Sequence, residues 1–203
     1  MKTTIAGMLV RNAVEYVQRA HVAYADSRPD EEVRLCIGGH LMIALAIEGI
    51  GNEVGEVAFD TWQWSRLEKS DTPLKWYLLS EFGGRTAFEP SKEPLQTVQR
   101  LASIRNRIAH PKIEERGDEI IVRNKHGELK RKVSLDHIIE AGDCILVGFG
   151  KLIDEFNYKT TLEAVRKGIV AIKMLRQHLN VSGLDWLDEM EVELVRAPLR
   201  RLG

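Results

Sequence analysis

The sequence predicts an all-α fold, a helical bundle with a small β-hairpin insertion. Apolar residues recur at helical spacing near both ends of the chain: Leu9, Ala13, Val17 and Ala20, then Leu162, Val165, Ile169, Ile172, Leu175 and Leu179. Between them, proline, glycine and short polar residues fall where helices start and stop. Only residues 119–133 switch to a strand-like pattern. The 203 residues suit one domain, placed at residues 1–182, followed by a peripheral C-terminal tail at 183–203. An apolar fraction of 44% is enough for a hydrophobic core without disulfide support.

The first helix is expected over Thr4 to Tyr24, and Asp26-Ser27-Arg28-Pro29-Asp30 breaks it, because proline restricts the residue before it. A second helix, from about Glu31 to Gly51, is apolar around much of its circumference and suits the centre of a bundle. Its Leu35–Ile50 stretch still carries His40 and Glu48. Gly38, Gly39, Gly49 and Gly51 lower helix propensity but let neighbouring helices approach closely. A further helix is expected from Glu53 to Arg66. Another starts at Thr72-Pro73, with threonine as cap and proline in the first turn, and ends at Gly83-Gly84. Trp62, Trp64, Trp76 and Tyr77 read as packing residues rather than base-stacking platforms.

After a linker from Pro90 to Pro94, a helix runs to Ala109. Glu119–Arg123 and Leu129–Val133 then flank a glycine-bearing turn, the pattern of a β-hairpin. Ser134 caps a helix from Leu135 towards Phe156, and Thr160 with Glu163 forms a capping box for the last long helix.

Composition excludes several classes. With 29 basic and 30 acidic side chains, the chain carries no bulk charge with which to coat nucleic acid. Cys36 and Cys144 sit in apolar segments and make neither a disulfide framework nor a CxxC pair. The six histidines form no HExxH or similar metal pattern, and Asp136-His137 with Glu140 reads as helix-surface pairing. No metal and no cofactor is expected. Gly38-Gly39 matches neither a P-loop nor a dinucleotide fingerprint, and no nucleophile motif is present. Arg11 ends the short apolar run Ile5–Val10, so neither a secretory signal nor a membrane segment is expected, and the location is read as cytoplasmic.

The segment with chemical content is Ser103-Ile104-Arg105-Asn106-Arg107-Ile108-Ala109-His110-Pro111. At 100° per residue, Arg105 falls in the sector of Leu101 and Val98, on the apolar face of its helix. Two uses of such an arginine are open. Its stem packs while the guanidinium reaches water, or its charge meets an anion or carboxylate. Pro111 biases His110 away from helical dihedrals and sets it at the helix end. Metal-free RNA cleavage needs a proton acceptor for the 2'-hydroxyl, a donor to the leaving 5'-oxygen and positive charge at the phosphate. Histidine and arginine supply these functions. From residue types alone, the structural account is the leading one: a carboxylate-paired Arg105, a capping Asn106 and a dipole-favoured His110.

This segment resembles the signature of the HEPN superfamily: an arginine, an adjacent polar residue and a histidine after four to six intervening residues. Arg105, Asn106 and His110 fit it, with four residues between arginine and histidine. The resemblance covers the motif and a helical core of about two thirds of the chain. It implies a dimeric helical bundle and a metal-independent endoribonuclease that leaves 2',3'-cyclic phosphate ends, with toxins and antiviral effectors among its members. Arg105 and His110 would then be catalytic, with Asn106 supporting them. Arg107 and Lys112 would hold RNA, although Glu114 and Glu115 follow closely. The expected partners are RNA, a second copy of the chain and a protein partner such as an antitoxin, with no membrane. The alternative is a non-catalytic helical interaction or regulatory module, which the family also contains. A small-ligand or nucleotide site on Gly38-Gly39 and Arg105 is the third reading.

Overall fold

The computed structural model describes residues 4–82, 86–109 and 156–180, and the backbone of Val122–Arg123 and Leu129–Lys130. Six helices account for most of the described residues: α1 (Ile5–Ala25), α2 (Pro29–Ala58), α3 (Thr61–Leu67), α4 (Thr72–Phe82), α5 (Leu95–Ala109) and α6 (Tyr158–Leu179). The fold is all-α in class.

α2 is the axis of the bundle, and α1, α4, α5 and α6 pack around it. α1 lies antiparallel to α2, with Ala6 near Gly49 and Tyr16 over Gly38. The Thr4 hydroxyl caps α1 by accepting from the amide of Gly7. α2 opens with proline and three acidic residues in its first turn, which complement the helix dipole. α6 runs in the same direction as α2: Glu32 Oε1 accepts from the amide of Tyr158 at 2.8 Å, and farther along Gly168 sits against Ile43. The core formed here includes Val10, Val14, Ile43, Ile47, Trp76, Leu101, Val165, Ile169 and Ile172. By length and composition alone α2 could cross a membrane, and half of its most apolar window is buried inside this bundle.

Several helix ends and caps differ from the sequence reading. α2 does not stop at Gly51 but continues to Ala58, so the helix expected over Glu53–Arg66 is split, with only Thr61–Leu67 forming a separate helix. Gly51 and Gly55 do not end α2 because they serve as contact points, Gly51 beneath Trp76 and Gly55 beneath Trp64. Extended Phe59 and the Asp60–Gln63 capping box make the real break. α4 is capped by Asp71, whose Oδ1 accepts from the Leu74 amide at 2.8 Å, rather than by Thr72. α6 begins earlier than expected, because Asn157 and Thr160 exchange the capping-box hydrogen bonds assigned to Thr160 and Glu163.

Val122–Arg123 and Leu129–Lys130 pair antiparallel, Val122 opposite Lys130. Two residues on each side do not establish the hairpin expected over 119–133, and the rest of that stretch lies outside the described residues. So do Cys144, the helix expected from Leu135 and the tail at 183–203.

Candidate functional site

α5 positions the residues singled out from the sequence. Leu95, Thr97, Val98, Leu101 and Ile104 are its buried face, and Gln96, Gln99, Arg100, Ser103, Asn106 and Arg107 are exposed. Arg105 shares the phase of this buried face but follows Ile104, its last buried residue, and is itself half-buried. Of its two open uses, the carboxylate is realised. Arg105 Nη2 is 3.0 Å from Glu48 Oε2 on α2, with side-chain exposures of 36% and 28%. Those intermediate values place the pair at the bundle margin, where neither charge is fully desolvated. Arg105 Nη1 also donates to Asn106 Oδ1 at 2.8 Å.

The guanidinium is therefore held at two nitrogens, by acceptors from two helices. It has five N–H donors in a planar fork, so these two contacts leave three for a further acceptor such as phosphate. Arg107 is exposed in the last turn of α5, where the helix dipole favours a cation. The structure thus brings Arg105 and Asn106 together on the final turns of α5. His110 and Lys112 lie outside the described residues.

Glu48 is the site residue that the sequence reading missed. The signal was present: it is the only acidic residue between Glu32 and Glu53, in the most apolar helix of the chain. A carboxylate in such a place needs a partner. An arginine on the apolar face of another helix is the matching half.

Several other polar groups have structural explanations. His40 is buried, with Nδ1 3.0 Å from the Cys36 carbonyl oxygen and 3.1 Å from Thr161 Oγ1, and its ring meets the edge of Phe156. Burial pushes the Cys36 thiol up to about 11, against a smaller opposing effect of a hydrogen bond with Thr161. Gly38-Gly39 lies inside α2, beneath Tyr16 and Thr161, which removes the nucleotide-loop reading. Trp76 is fully buried and its Nε1 donates to the Ile47 carbonyl at 3.1 Å, as a packing residue should. Trp62 is not a core residue of the single chain: it is 67% exposed, with Arg66 over its ring, which leaves the subunit-interface form of the packing reading open. A shallow recess between α5 and α6 is lined by Arg100, Lys167 and Glu163 among others. Its cations already face Glu163, whose carboxyl is held below its ordinary range by a hydrogen bond from Lys167, with Arg100 adding to the effect. Among the described residues, no group of three His, Cys, Asp or Glu side chains is placed to hold a metal ion.

Comparison with protein-family models, with curated proteins and with solved structures finds no match for this chain.

Proposed function

We propose that the protein is a HEPN-like, metal-independent endoribonuclease that acts as a homodimer in the cytoplasm. The observation that supports this most is Arg105, oriented by Asn106 and Glu48 on the last turns of α5, five residues before His110. An arginine fixed in this way can clamp the scissile phosphate and stabilise the charge that builds on it. His110 would take the 2'-hydroxyl proton or deliver one to the leaving 5'-oxygen. A second His110, from a twofold partner, would supply the other transfer. Asn106 orients Arg105, while Arg107 and Lys112 hold flanking phosphates. The reading includes a β-hairpin over 119–133.

The test is cleavage of a mixed RNA panel in EDTA by wild type, Arg105→Ala and His110→Ala. Wild type is expected to leave 2',3'-cyclic phosphate ends. Loss of the arginine is expected to cost roughly 10²–10³ in rate, the scale of one lost charge-stabilising group. Equal cleavage by all three proteins would end the assignment.

A second reading has its own support. The Glu48–Arg105 pair also serves as a link between α2 and α5, and Val57, Trp62, Leu74 and Phe82 are exposed apolar side chains. In this reading the chain is a non-catalytic interaction module, a regulatory partner of another protein such as a toxin or antitoxin. It predicts no RNA turnover and a stable complex that Trp62→Ser weakens.

A further inference from the structure

We infer that Glu48 is the positioning residue for Arg105, setting the plane of its guanidinium for a phosphodiester. The inference rests on the endoribonuclease reading. Glu48 stands between buried Ile47 and half-buried Gly49 on α2, with its Oε2 3.0 Å from Arg105 Nη2. Asn106 Oδ1 holds Nη1 from the opposite end of the fork at 2.8 Å. Asn106 alone, adjacent to Arg105 on the same helix, leaves the long side chain free to swing with their shared helix end. The Glu48 contact comes from the central helix and ties the fork to the rigid axis of the bundle.

The electrostatic consequence separates this role from simple attraction. Glu48 offsets the charge of Arg105, so it weakens ground-state attraction for phosphate. What it supplies is orientation, which acts where charge develops in the transition state. Removing it should therefore lower kcat without raising KM. A residue that merely braces two helices would change thermal stability and leave kcat per folded molecule unchanged.

The experiment measures RNA cleavage in EDTA for wild type, Glu48→Ala, Glu48→Gln and Glu48→Asp. Affinity for a non-cleavable 2'-deoxy analogue and thermal unfolding are measured beside it. Glu48→Ala is expected to lose on the order of 10–100-fold in kcat, the scale of a reacting group misplaced by about 1 Å. Its affinity for the analogue should be unchanged or tighter. Glu48→Gln keeps an acceptor oxygen and should retain most of kcat. If Glu48→Ala does not fold, Glu48→Asp keeps the charge but shortens the reach, and it should show the same fall in kcat. Wild-type kcat in folded Glu48→Ala or Glu48→Asp would overturn the inference while leaving an Arg105- and His110-dependent ribonuclease intact. Cleavage insensitive to Arg105→Ala and His110→Ala would remove the ribonuclease reading, and the role of Glu48 with it.

Discussion

Cys36 shows how one buried atom shapes stability. An unfolded chain releases its thiol proton near the ordinary value of 9.0, whereas the folded protein holds it to about 11. Below pH 9 both states are protonated and the thiol adds no pH dependence. Between pH 9 and 11 the unfolded state binds fewer protons, so stability falls as pH rises. Urea midpoints compared at pH 8 and 10.5 should drop further in wild type than in Cys36→Ala. Gly168 presents the opposite problem, one of space. A Cβ there would overlap the Ile43 side chain across the α2–α6 contact. Alanine is about 1 kcal/mol better than glycine within a helix, but overpacking a core costs about 1–3 kcal/mol. Denaturant unfolding should thus find Gly168→Ala less stable than wild type, despite its better propensity. Arg105 was legible from the sequence at this scale, because helical phase alone sets it on an apolar face. Its partner was not, since Glu48 lies 57 positions away and no local rule joins two helices across that interval.

Helix interiors were read more reliably than helix ends. α1 and α5 stand where their apolar periodicity put them, because one face of each is buried, from Ala6 to Ala23 in α1 and from Leu95 to Ile104 in α5. The errors arose where two signals competed. Gly51-Asn52 has the composition of a stop, yet α2 passes through it, with Trp76 packed against Gly51 and, a turn later, Trp64 against Gly55. At α6, Asn157 and Thr160 both had the chemistry of a cap. The buried Phe156 and the Tyr158–Glu32 hydrogen bond draw the helix start to the earlier residue. Asn157→Ala should cost about 1 kcal/mol in thermal or urea unfolding, the ordinary value of a lost cap. Thr160→Ala should cost part of that, through loss of the reciprocal bond to the Asn157 amide at 3.3 Å. Glu163→Ala, the capping partner that the sequence suggested, should cost little, because its contact with Lys167 is an exposed ion pair.

For the whole molecule, the all-α class followed from periodicity, since only an amphipathic helix repeats apolar residues at that interval. The arrangement around α2 depended on contacts between distant segments and became visible only in the fold. Dimerisation belongs to this scale too. If two chains contribute His110 to one centre, specific activity must depend on protein concentration. Cleavage rate per chain should fall on dilution below the dimer dissociation constant and recover on reconcentration. Sedimentation in the same range should show the matching shift in mass. A rate per chain that stays constant across dissociation would assign the chemistry to a single copy.

The central position of α2 also has a consequence for synthesis. Its partner α6 begins 100 residues after Ala58, an interval of roughly 5–20 s at ordinary elongation rates of about 5–20 residues per second. Throughout that interval α1 can already shelter one side of the helix. Ile43 must wait for Gly168, and Gly39 for Thr161. Among the described residues, the one helix apolar enough to cross a membrane is thus the one whose last packing partner is made latest.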